Sequence, residues 1–179
     1  MARQIFSGTP VKATFRLYGS FAETYKGHGT DRALIGGMLG YKSYDVRIRD
    51  AYAQARENGL EVDFEVDKET PVSHPNTVDI NITGDCGHTL LIRGESIGGG
   101  RVRIRKINNI DVDFTGEDST MIIAHLDVTG TVAYITTCLA EESVNVATLK
   151  LFREEKGKKA VTVVETDSSI SEELKEKNR

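Results

Sequence analysis

The chain has 179 residues, 39% hydrophobic and 28% charged, which fits one ordinary domain or two small ones with enough apolar material for a core. A formal net charge of -4 and a pI near 5.6 give no electrostatic footprint for nucleic acid, which requires a clustered basic face. No apolar run approaches the roughly 18 residues that span a bilayer, and residues 1–6 lack the apolar stretch of a signal peptide, so a cytoplasmic protein without membrane contact is expected.

Val11, Ala13, Phe15 and Leu17 alternate with Lys12, Thr14 and Arg16, a period of two that predicts a half-buried strand ended by Gly19 and Ser20. A short helical turn is expected over 21–26 and a loop over 27–29. Thr30 as N-cap, with Asp31 in the first turn, predicts a helix over 31–39. Asp45 is placed to cap a helix over 46–58, in which Ile48, Tyr52 and Ala55 keep roughly one face and after which Gly59 suits the C-terminal cap. Alternation predicts strands through Val62, Phe64 and Val66, and through Val78, Ile80 and Ile82. Gly84-Asp85-Cys86-Gly87 reads as a hairpin turn, 88–93 as the returning strand, and Val102 with Ile104 as the next. Asn108-Asn109 turns the chain into Ile110, Val112 and Phe114.

Polar residues 115–119 suggest a boundary, so domains over 1–118 and 119–179 are expected. The second should run as a strand over 121–126, a helix opened by Gly130 with Val132, Ile135 and Leu139 on one stripe, strands over 144–153 and 160–165 joined at Gly157, and a last helix over 170–177. That order is β-α-β-β-α, the ferredoxin-like split unit without its final strand. The expected fold class is α+β, a mixed α/β domain followed by this smaller one. No internal repeat or low-complexity tract is visible, and Lys175, Lys177 and Arg179 read as a solvated terminus.

Three short motifs carry candidate chemistry. Gly27, His28, Gly29, Thr30 and Asp31 lead into a helix N-terminus, whose unpaired N–H groups suit a carboxylate or phosphate; a tight turn with an N-cap is the competing reading. His74, Pro75 and Asn76 form a stiff loop that presents hydrogen-bonding groups or simply turns the chain. Gly98, Gly99 and Gly100 precede a strand rather than a helix, which favours a bulge or subunit contact over a phosphate cradle. Arg101, Arg103 and Arg105 share a strand face and read as a solvated edge guarded by charge rather than an anion stripe. His28, His74, His88 and His125 lack metal-ligand spacing, and Cys86 and Cys138 are two isolated thiols without C-x-x-C spacing, so no metal site is expected. No nucleophile elbow, Walker loop or Ser/His/Asp order is present. In the second domain His125, Asp127 and Gly130 lie at a strand-helix junction and Asn145 begins the next strand. These outline an amino-acid site; the competing reading has Asp127 capping the helix and Asn145 entering a strand.

Taken in order, the octet Gly27 to Leu34, the preceding Tyr18-Gly19-Ser20-Phe21-Ala22 with Thr24-Tyr25-Lys26, the quartet His74-Pro75-Asn76-Thr77 and Ser96-Ile97-Gly98-Gly99-Gly100 resemble the beta subunit of bacterial iron-sulfur-dependent L-serine dehydratase. The resemblance implies an allosteric substrate-binding-type domain, similar to one found in some phosphoglycerate dehydrogenases. Residues 119–179 look like an ACT regulatory domain, and the resemblance places His125, Asp127, Gly130 and Asn145 on the positions that hold an amino-acid effector. Asp127 stands where asparagine often occurs and Thr129 where proline is common.

The family's reaction is β-elimination of water from L-serine, giving pyruvate and ammonia once water hydrolyses the eliminated product, with a [4Fe-4S] cluster acting on the hydroxyl and its cysteines in the alpha subunit. This chain is then expected to be a regulatory and structural partner of that subunit, inactive alone, with L-serine as substrate or effector. A homodimer through ACT edges is also implied. Family members carry an upstream serine-rich segment and a last ACT strand; without them, apolar edges are expected to be covered by a partner or second copy. The alternatives are a free-standing amino-acid sensor, and an enzyme using His28 or His74 as a base.

Overall fold

A computed structural model describes residues 1–168, so the helix expected over 170–177 lies outside the described residues. Two sheets and five α-helices form an α+β fold among those residues. The chain divides into two compact units, Met1–Asn108 and Asn109–Arg179.

The first unit opens with α1 (Ala2–Ile5) and β1 (Pro10–Tyr18). The alternation read in β1 is realised: Ala13, Phe15 and Leu17 are fully buried while Lys12 and Arg16 stay in water. Each large apolar side chain so buried contributes about 1.5–3 kcal/mol. Next come α2 (Gly19–Thr24), α3 (Thr30–Met38), a 3-10 segment (Val46–Asp50), α4 (Ala51–Glu57) and β2 (Glu61–Asp67), which pairs parallel to β1. A parallel return requires a crossover, and these helices supply it; Ile35, Met38, Ala51 and Ala55 pack with Phe15, Leu17 and Ile80 in one core.

The single helix expected over 46–58 is thus a 3-10 segment followed by a short α-helix. Asp45 does cap it: its carboxylate accepts from the Arg47 amide at 3.0 Å and pairs with the Arg47 guanidinium at 2.6 Å. That guanidinium and amide hold the Asp45 carboxyl down to about 2. Local side-chain bonding of this kind competes with regular α-helical geometry.

β3 (Thr77–Gly84), β4 (Thr89–Gly98) and β5 (Arg101–Ile107) follow as an antiparallel meander, and the six-stranded sheet runs β2-β1-β3-β4-β5-β6, with β6 spanning Ile110–Phe114. β5 therefore lies inside the sheet, and its arginines do not guard an edge as the sequence suggested. The edge that is charged is β2, where Glu61, Asp63 and Glu65 pair with Lys12 and Arg16 across the strands.

The second unit contains β7 (Ser119–Leu126), α5 (Thr131–Glu141), β8 (Val146–Arg153) and β9 (Lys159–Thr166). Its sheet runs β7-β9-β8, with β9 antiparallel to both neighbours, so the first and third strands of the split unit lie side by side. Ile135, Cys138 and Leu139 of α5 pack on Met121, Ile123 and Val164. Their spacing of three and four residues is the buried stripe; Val132, expected on it, is 37% exposed.

Candidate functional site

The first motif closes on itself. Beyond α2, the His28 amide donates to the Thr24 carbonyl at 3.0 Å, the Gly29 amide to Lys26 at 3.4 Å and the Thr30 amide to Tyr25 at 2.9 Å. The N-cap of α3 is Gly29, at φ 70°, and no side chain caps the helix; Thr30 is its first residue rather than the cap expected. Asp31 is buried, with Oδ1 accepting from the Arg32 amide at 2.8 Å and Oδ2 from the Tyr52 hydroxyl at 2.9 Å. Burial, and then the bond to Asp31, push the Tyr52 hydroxyl up to about 12. The amides of His28, Gly29 and Thr30 are thus spent on backbone carbonyls, and the Asp31 carboxylate takes the Arg32 amide. Gly27 and His28 are exposed and Gly29 is half-buried.

The second motif is a junction between elements. The Asn76 amide donates to His74 Nδ1 at 3.2 Å, Thr77 Oγ1 donates to the His74 carbonyl at 2.6 Å, and the Asn76 carbonyl accepts from the Ser96 amide at 2.9 Å. Pro75 carbonyl accepts from Phe21 at 3.4 Å. Gly19 explains why its motif belongs here: it sits at φ 52°, and a Cβ on it would stand 2.6 Å from the Pro75 carbonyl oxygen, so only glycine lets this loop lie on the start of α2. Three segments of the family pattern are therefore joined, at Gly19, at His74 to Thr77 and at Ser96. Gly98, Gly99 and Gly100, all at positive φ, form the exposed β4–β5 hairpin tip.

Beside this junction lies a polar network that the sequence reading missed. Asp79 and Arg93, opposite one another in the β3–β4 register, form a two-pronged ion pair at 2.6 Å, and Tyr18 Oη donates to Asp79 Oδ2 at 2.8 Å. The Arg93 guanidinium lies 5.2 Å from the centre of the Tyr18 ring. Asp79 raises the Arg93 guanidinium further above its ordinary value, while burial, then the bond to Asp79, raise the Tyr18 hydroxyl. Glu95 is buried, accepts from Ser73 Oγ at 2.8 Å and lies 3.9 Å from Arg105 Nε. An acid and a base at facing positions of adjacent alternating strands was the one sequence signal for the Asp79–Arg93 pair.

In the second unit the expected effector residues have internal partners. His125 Nδ1 donates to the Leu126 carbonyl at 2.8 Å, which leaves Nε2 to accept from the buried Thr162 hydroxyl at 2.8 Å. Asp127 does not cap α5, whose N-cap is Gly130 at φ 95°. Its Oδ2 instead accepts from the Gly157 amide at 3.1 Å and Arg153 Nη1 at 3.2 Å, which together lower the Asp127 carboxyl. Asn145 Nδ2 donates to Asp167.

His125 faces Ala160 in the sheet, whereas Ser119 and Val146 both face Thr166. At about 3.3 Å per residue, Asn145 stands roughly 20 Å from His125 and Asp127 within one chain. An amino-acid site within one chain would need these places as neighbours; a strand entered after a crossover helix starts at the far end of the sheet.

Cys86 is exposed at the β3–β4 hairpin and Cys138 is buried in α5. Among the described residues no group of His, Cys, Asp and Glu is arranged to hold a metal ion. Nor is any helix among them long and apolar enough to cross a membrane.

The fold and the joined motifs define a class: a two-unit α+β chain in which a helix-covered mixed sheet precedes a smaller β-α-β-β unit. The profile of the serine dehydratase beta chain matches residues 3–107. The chain is 38% identical over 174 residues to the probable L-serine dehydratase beta chain of Bacillus subtilis strain 168, covering 97% of this chain and 78% of that one. It is 35% identical over 175 residues to the L-serine dehydratase beta chain of Peptoniphilus asaccharolyticus, covering 98% and 79%. A D-3-phosphoglycerate dehydrogenase of Bacillus subtilis strain 168 is 25% identical over 144 residues, 80% of this chain and 27% of that protein. The chain belongs to the serine dehydratase beta chain family.

Proposed function

We propose that this chain is the beta subunit of an L-serine dehydratase, acting with an alpha subunit that holds the [4Fe-4S] cluster in the cytoplasm, and that it is inactive alone. The observation that carries this reading is that the likeness to two beta chains extends through both units, over 97% and 98% of the chain. A free-standing amino-acid sensor is not favoured by that naming. When bound to the alpha subunit, the cluster supplies Lewis-acid activation of the serine hydroxyl. This chain's own contribution is a stiff interlocked loop set, Gly19 with His74 to Thr77 and Ser96, suited to a subunit contact. The test is pyruvate formation from L-serine by the co-expressed pair and by each chain alone. Activity is expected only from the pair; turnover by this chain without a partner would sink the reading, as well as reviving His28 or His74 as a base.

We further propose residues 119–179 as an ACT module whose effector is L-serine. His125, Asp127 and Gly130 lie at one end of its sheet and Asn145 at the other, which supports a site completed across two copies rather than inside one. β7 has one strand neighbour among the described residues, leaving an edge for such pairing. Sedimentation of the chain with L-serine, and with D-serine as control, should show a stereoselective shift toward dimer. Serine binding of unchanged affinity to a strictly monomeric chain would refute the shared site.

A further inference from the structure

A second cluster of charge adjoins the Asp31–Tyr52 bond. A cleft of about 240 Å³ is lined by Arg32, Arg49, Asp50, Tyr52, Ala53 and Arg56. Arg32 comes from the first turn of α3, Arg49 and Asp50 from the 3-10 segment, and Tyr52, Ala53 and Arg56 from α4. Arg49, Ala53 and Arg56 follow at spacings of four and three residues, so they share a side of this segment, with the small Ala53 leaving room between the two long side chains.

Lys12, Arg16, Arg47, Arg93 and Arg153 each have a carboxylate partner. Among the described residues, none of Arg32, Arg49 and Arg56 has one, although acidic residues outnumber basic ones in the chain by 27 to 23. The nearest acid of α3, Asp31, is buried and committed to the Tyr52 hydroxyl and the Arg32 amide, so it is not offered to the cleft. Its bond to Tyr52 also ties α3 to α4 and fixes the wall on which the arginines stand. Gathering three guanidiniums around a single carboxylate, Asp50, leaves an excess of like charge whose cost an anion offsets.

We propose that this cleft binds the phosphate group of a small phosphate monoester. Guanidinium forks match phosphate oxygens with paired, charge-assisted hydrogen bonds, more closely than an ammonium does. Three guanidiniums and the Asp50 carboxylate leave a net charge of +2 on the lining; a phosphate monoester carries about -1.5 to -2 at neutral pH. Asp50 is placed to accept from a hydroxyl on the remainder of the ligand. The proposal does not depend on the dehydratase reading, since neither the serine-elimination chemistry nor the second unit enters it.

The test is titration of the full isotope-labelled chain with inorganic phosphate and with glycerol phosphate, read on the arginine Nε–H resonances at low ionic strength and at about 0.15 M salt, where exposed charges are screened beyond roughly 8 Å. Saturable shifts on Arg32, Arg49 and Arg56 are expected, persisting at the higher salt. The Arg49→Gln, Arg56→Gln double variant should bind about tenfold or more weakly. Arg47→Gln, which removes a guanidinium already paired with Asp45, should bind as the parent does. Should the double variant not fold, the single Arg56→Gln gives the same readout with a smaller drop. Linear, non-saturating shifts, or equal binding by the cleft variants, would overturn the proposal. So would protection of these three arginines by an alpha subunit with no response to either phosphate, an outcome that assigns the cleft to a protein partner.

Discussion

Helices α3 and α5 begin alike and end up doing different things. Each starts behind a left-handed glycine, Gly29 at φ 70° and Gly130 at φ 95°, with no side-chain cap, and each glycine carbonyl accepts the first helical bond, from Ala33 at 3.0 Å and Tyr134 at 2.9 Å. Each has an aspartate close by. Asp31 turns inward and is buried against Tyr52, tying α3 to α4. Asp127, before its helix, reaches across to the β8–β9 hairpin at Gly157 and Arg153. The same glycine-and-acid pattern that suggested two anion or effector loops therefore yields two internal fastenings, one in a core and one at a surface. A pattern of residues advertises hydrogen-bonding capacity; the packing around it decides whether a ligand or the protein uses it.

The largest test of that contrast is Asp31→Ala, which strips the partly buried Tyr52 hydroxyl of its acceptor. A loss of about 1–3 kcal/mol in urea unfolding is expected, and Asp127→Ala should cost far less; equal losses would erase the distinction between core and surface fastening. The two glycines should behave as a matched pair. Both Gly29 and Gly130 have open space where a Cβ would stand, so Gly29→Ala and Gly130→Ala should each cost only the strain of positive φ, about 1 kcal/mol by the same measurement. A markedly larger loss at one would reveal packing that the present geometry does not contain.

Titration sharpens the comparison further. Tyr52 has its hydroxyl raised from 10.0 to about 12. Its contribution to stability is therefore complete below pH 10.0 and lost as pH rises through about 12. Tyr52→Phe should flatten that alkaline fall in unfolding midpoint; an unchanged fall would show that the Asp31 bond does not hold the proton. The smallest effect concerns Asp127, whose carboxyl lies below its ordinary 3.8. Its contribution is present above 3.8 and fades as pH falls through the lower folded value. Asp127→Asn should show less acid sensitivity than the parent, and an identical acid limb would mean that the Gly157 and Arg153 bonds carry no net stability.

Much of the fold was legible because burial on one face writes a period into the chain. The alternation of β1 and β3, the Asp45 cap and the hairpin at residues 84–87 all appear where the sequence places them. The stripe of α5 exchanged one member, Val132 for Cys138, because a cysteine packs as a small hydrophobe that a pattern of aliphatic residues passes over. The candidate site was less legible. Gly19, His74 to Thr77 and Ser96 belong to one family pattern, yet nothing in their spacing says that they touch. Tyr18, Asp79, Arg93 and Glu95 were missed because a polar residue on a strand reads as solvent-facing until a neighbouring strand and loop enclose it.

What the sequence determined by itself was local: which segments alternate, where glycine and aspartate begin helices, and, through the combination of its motifs, the family. Strand order and register lay outside its reach. They turned β5 from an edge into an interior strand and set Asn145 at the far end of the sheet from His125, while the packing of α3, the 3-10 segment and α4 gathered Arg32, Arg49 and Arg56 around one cleft. The reason is physical. Backbone periodicity and capping act over three or four residues, whereas the partners that consume or leave free a polar group come from anywhere in the chain, chosen by how the buried faces pack.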